Sequence, residues 1–217
     1  MLMDGPVLKY TYSENLEISR LLYTLNRLEW YLNNGYSLDY ISFPEGLVVS
    51  NTARGVDEEK VALLVKKEYN SNKYKEAAES LDNLYRNYKQ ILGIFINKIS
   101  LGILPEIEVV LSRYGIGGSY HLPNKIVCNI AKMYNIGLLR ATLHEIIHLH
   151  IEPLIKKYQI NHWSKESIVN LLFQSAFMDI YKESDTRNNE GSVKQAYDKF
   201  FPDIEKIIST VSDHENK

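Results

Sequence analysis

Within the stretch TLHEIIHLHIEPL, residues 142–154, the positions His144, Glu145 and His148 have the types and spacing for metal chemistry. Imidazoles four positions apart on a helix share one face, one turn apart, so both reach a single ion. Glu145 is rotated by about 100° from His144, which sets a carboxylate beside that ion without making it a ligand. Zinc in such a site lowers the pKa of its water towards neutrality, and the neighbouring carboxylate takes the proton. The H-E-x-x-H spacing therefore suits metal-assisted hydrolysis, with Zn²⁺ the expected cofactor.

Two protein ligands do not complete a catalytic zinc site, which needs a third and leaves the fourth position for water. His150 lies two residues past His148. It is turned by about 200°, so it faces away. Glu152 is on the correct face but sits about 12 Å along the axis from His144. His162 can swing in from the following loop. Glu166 opens the next expected helix, and a helix packed back antiparallel would bring its first-turn carboxylate opposite the histidines. Glu166 is the preferred third ligand and His162 the alternative. The Glu166 charge would also suit a helix N-terminus with no metal at all.

The elements that must position these groups follow from periodicity. Apolar residues three and four apart predict helices over residues 14–33, 57–69 and 73–99. Residues 36–56 read as irregular. A strand is expected at 106–112, then a glycine-rich bend and a hairpin of strands 118–122 and 125–130 with Pro-Asn at the turn. Helical spacing returns at 137–158, where Pro153 is expected to kink or end the helix, and at 164–182, capped by Ser164. Residues 184–192 read as a loop, one or two short helices close the chain, and the final SDHENK reads as frayed. The expected class is α+β, with a helical N-terminal region over residues 1–100 and a metal-bearing core over 101–217.

HEIIH followed by a glutamate on the next helix resembles the gluzincin metallopeptidases, the thermolysin-like branch of the zincins. The resemblance covers residues 106–182. That family pairs H-E-x-x-H with a later E-x-x-x-D. Here the second piece is ESIVN, residues 166–170, so Glu166 matches the ligand and Asn170 replaces the aspartate that supports a histidine. An amide oxygen can still accept an imidazole N–H, but it brings no charge. The glycine and third histidine of the metzincin pattern are absent. The resemblance implies a zincin-like domain with a small mixed sheet. It also implies Glu145 as general base, and a substrate backbone paired by β-augmentation with the edge strand around Gly118, Ser119 and Tyr120. His162, Tyr158 and Tyr181 are candidates for stabilising an oxyanion, and Asp179 for a further polar group.

The implied activity is zinc-dependent peptide hydrolysis on a peptide or protein substrate. A non-catalytic zincin-fold protein that keeps its metal is the alternative. The formal net charge of −2, without a basic stripe, disfavours nucleic acid as a partner. No apolar run approaches a membrane span and no secretory signal is visible, so the expected location is the cytoplasm. The single cysteine, Cys128, excludes an intramolecular disulfide and reads as a buried strand residue.

Overall fold

The computed structural model describes residues 4–49, 57–182 and 190–215. The elements run β1 (Val7–Thr11), α1 (Glu14–Asn26), α2 (Leu28–Asn33), α3 (Glu58–Glu68), α4 (Ser71–Lys98), β2 (Glu106–Ser112), β3 (Gly118–His121) and β4 (Lys125–Asn129). Four helices follow: α5 (Ile136–Tyr158), α6 (His162–Ala176), α7 (Glu190–Phe200) and α8 (Ile204–Glu215). The architecture is α+β, with one four-stranded mixed sheet in the order β1-β2-β4-β3. β1, β2 and β4 are parallel, and β3 joins β4 antiparallel at the edge.

The strand at 106–112 and the hairpin form as expected, and β2 and β4, rich in β-branched residues, are buried along most of their length. β1 was not expected. It enters the sheet beside β2, from Val7 opposite Glu106 to Thr11 opposite Val110, so the N-terminal region contributes a strand as well as helices.

The long α4 and the central α5 cover the sheet, with α6 and α8 packed on α5. One apolar cluster runs through them, including Leu81, Leu92, Ile107, Ile126, Leu143, Ile147 and Leu172. A smaller cluster of Leu21, Leu25, Val61, Val65 and Tyr114 joins α1 to α3 and to the loop after β2. Glu17 fastens α1 more specifically. This buried carboxylate accepts hydrogen bonds from Ser112 Oγ and the Arg113 N–H, both at 2.6 Å, and from the Tyr74 hydroxyl.

Several expected boundaries move. The helix expected over 14–33 breaks at Arg27 into α1 and α2. Residues 36–49 hold a short 3-10 turn at Leu38–Tyr40 and a single antiparallel bridge from Ser42 to Gly115, and residues 50–56 lie outside the described residues. α5 runs through Pro153 and stops at Gln159, which adopts the left-handed conformation at φ 53°. The cap of α6 is Asn161, whose side chain accepts from the Ser164 N–H at 2.9 Å, and the helix ends at Ala176 rather than 182. α7 already begins at Glu190, and α8 carries helix to Glu215, into the segment read as frayed. Cys128 is buried in β4, and burial pushes its thiol up to about 12. Among the described residues no helix is long and apolar enough to cross a membrane.

Candidate metal centre

Helical rise brings His144 and His148 to one face of α5, and the turn at residues 159–161 lets α6 pack back against it. Three donor atoms meet between the two helices. His144 Nε2 lies 3.0 Å from His148 Nε2, and Glu166 Oε2 lies 3.4 Å from the first and 3.3 Å from the second. Ligand atoms about 2.05 Å from a tetrahedral ion stand about 3.3 Å from one another. The triangle is thus the size of one face of a tetrahedral site, and this His-His-Glu cluster can hold a metal ion.

The charges at the cluster are coupled. Burial opposes ionisation of Glu166, but His148 and His144 outweigh it and hold the carboxyl well below its ordinary range. Burial likewise opposes a charge on His144, yet the hydrogen bond to Glu166 and its charge move that imidazole up. His148 is buried more completely and falls to about 4, so it stands neutral with a lone pair for a ligand bond. Glu145 is only 8% exposed, and burial pushes it up to about 7 against the pull of His144.

The edge strand β3 lies directly over these groups. A Cβ at position 118 would collide with the Glu145 carboxylate, so only glycine lets the strand approach this closely. Tyr120 stacks on His148, its hydroxyl donates to Glu152 Oε2 at 2.6 Å, and Lys165 Nζ donates to that hydroxyl at 2.9 Å. On the other side of β3, buried Arg20 of α1 donates from Nη1 to Ser119 Oγ at 3.1 Å.

A cleft passes through the site as two cavities that share Gly118 and Glu145. One, of about 510 Å³, includes Ser119, Tyr120, His148 and Glu166, and α1 and α2 wall it with Tyr23, Arg27, Trp30 and Tyr31. The other, of about 450 Å³, includes Arg140, His144, Asn170 and Tyr181.

The structure thus brings His144, His148 and Glu166 together, sets Glu145 beside them, and lines the cleft with Gly118, Ser119, Tyr120 and Asn170. His162 stays outside the triangle. Its Nδ1 is 3.8 Å from Glu166 Oε1, and its Nε2 shares a hydrogen bond with Tyr36 Oη at 3.1 Å. His150 faces away as expected, with Nδ1 against the Ile146 carbonyl at 2.7 Å. Glu152 serves Tyr120 rather than the triangle. Tyr158 donates to Glu205 and Asp179 accepts from Tyr88, so both are engaged elsewhere.

Arg140, Lys165 and the aromatic wall of α2 were not among the residues expected here from the sequence. Arg140 was detectable, because it stands one turn before His144 and so on the same face. The α2 wall left no such sign. Compared with known protein families, characterised proteins and solved structures, the chain shows no significant match.

Proposed function

We propose that the chain is a zinc-dependent metallopeptidase with a zincin-like core, acting on an extended peptide laid along β3. The observation that carries this reading is the His144–His148–Glu166 triangle with a second, buried carboxylate, Glu145, beside it. Two imidazoles and one carboxylate are a donor set that suits Zn²⁺ and leaves a position open. Zinc held there supplies a Lewis acid that polarises a carbonyl and acidifies water.

The chain's own groups do the rest. Glu145 takes a proton from the attacking water and passes it to the leaving amine. A carboxylate brought near neutrality by burial suits both transfers. β3, at the sheet edge, offers its outer backbone groups to the substrate, and Gly118 brings that backbone close to Glu145. Asn170, four residues after Glu166 on α6, stands where a gluzincin carries aspartate and lines the cavity holding His144.

The test joins metal analysis to turnover. Purified chain is expected to carry about one zinc per molecule and to cleave members of a broad peptide pool. Glu145→Gln is expected to keep the zinc and lose cleavage. A chain that neither holds nor takes up zinc sinks the metal reading. Equal inactivity of wild type and variant, with zinc bound, sinks the peptidase reading.

A further inference from the structure

The two ends of the cleft differ in charge. In the cavity under Ser119 and Tyr120 the charges balance, with Arg27, Lys156 and Lys165 matched by Glu145, Glu152 and Glu166. The cavity at the Gly118 end is basic. Lys132, Arg140 and Lys182 line it, and Glu145 is its only carboxylate among the described residues. The chain as a whole carries a formal charge of −2, so this is a local feature.

Arg140 is the most telling of the three. It is one turn before His144 on the same face of α5. Among the described residues it has no ion-pair partner, and its Nε is buried without a hydrogen-bond acceptor. Buried N–H groups are nearly always satisfied, and a guanidinium next to a metal cluster is a particularly expensive place for an exception.

We infer that this cavity receives a carboxylate of the substrate and that Arg140 is the group that binds it. The inference rests on the metallopeptidase reading and names its substrate class, a peptide with a carboxylate beyond the scissile bond. The guanidinium fork matches a carboxylate in size and geometry, which a lysine does not. A peptide added antiparallel to β3 runs from the His121 end towards Gly118. Its residues beyond the scissile bond therefore enter the Arg140 cavity. The carboxylate is an acidic side chain on that side of the bond, or the C-terminus of a short peptide.

Binding is measured apart from turnover, by calorimetry on zinc-loaded Glu145→Gln chain. The probes are blocked hexapeptides with one glutamate moved through the positions, their glutamine counterparts, and a neutral peptide with free or amidated C-terminus. Glutamate at one position, or the free C-terminus, is expected to bind at least about tenfold tighter than its neutral counterpart, as for a charged hydrogen-bonded pair. Which of the two does so identifies the source of the carboxylate. Arg140→Gln in the same background is expected to erase the difference, and Arg140→Lys to keep part of it. Arg140→Met replaces the glutamine variant if that one does not fold.

Equal binding in both comparisons, glutamate against glutamine and free against amidated C-terminus, or a preference that survives Arg140→Gln undiminished, overturns the inference. Cleavage of the same peptides by wild type separates it from the reading it rests on. A carboxylate preference in binding without any cleavage sinks the peptidase and leaves the pocket. Cleavage without the preference sinks the pocket alone.

Discussion

The ring of Tyr120 lies parallel to that of His148, with centroids 4.8 Å apart and planes inclined by 9°. Metal-bound histidines are usually oriented by a hydrogen bond from the second ring nitrogen. Among the described residues His148 Nδ1 is buried with no such partner, so with a metal bound the stacked tyrosine, held by Glu152 and Lys165, would orient the ring. Tyr120→Ala should weaken zinc binding by about tenfold, the low end for loss of a supporting group. Tyr120→Phe keeps the stack and should lose less. Competition with a chelator of known affinity measures both, and equal affinities for all three proteins would contradict the role.

Gly118 and Glu145 share a space with no room for a methyl group. Gly118→Ala must displace either the edge strand or the carboxylate. A shift of about 1 Å at a reacting group lowers turnover by about 100-fold. The expected result is a fall of that size in kcat/KM with zinc content unchanged, because the three ligands are not touched. Loss of zinc in this variant would show that the strand, rather than Glu145 alone, supports the centre.

The triangle exists only in the folded chain, since Glu166 is on a different helix from the histidines. Zinc binding should therefore stabilise the fold, by about 2.7 kcal/mol at a free concentration of one hundred times Kd. Urea unfolding with added zinc, and again with excess chelator, measures the difference. His148→Ala should show no zinc-dependent shift.

Glu17 joins α1 to the end of β2 and to α4 through Ser112, Arg113 and Tyr74. Removing it strands three donors at a buried site, and Glu17→Ala should destabilise by about 3 kcal/mol. Burial outweighs those hydrogen bonds and raises its pKa above the usual 4.5. The folded chain thus holds this proton more tightly than the unfolded chain. The part of its stability that comes from this shift is fully present below pH 4.5 and is lost as pH rises through the folded value. The advantage of wild type over Glu17→Gln should shrink with rising pH in urea titrations. An advantage that grew with pH would reverse the sign of the shift.

Periodicity made α3, α4, α5 and the strands β2 to β4 legible, because each buries a continuous stripe or face of its own residues. It hid β1. Five residues make a weak signal, and what holds them is a parallel partner that begins only at Glu106. The break at Arg27 and the cap at Asn161 were also beyond it, since element ends depend on a few local bonds.

The same division runs through the candidate site. One turn of helix sets the spacing of His144, Glu145 and His148, and the dismissal of His150, so the sequence by itself determined both. The sequence left Glu166 preferred and His162 open; the packing of α6 on α5 sets the Glu166 carboxylate 3.3 and 3.4 Å from the two imidazoles and leaves His162 outside that triangle. Tyr120 over His148, Gly118 against Glu145, and the α2 wall of the cleft join residues far apart in the chain. Those distances are set by how separate elements bury their apolar faces together, and only the tertiary structure decides them.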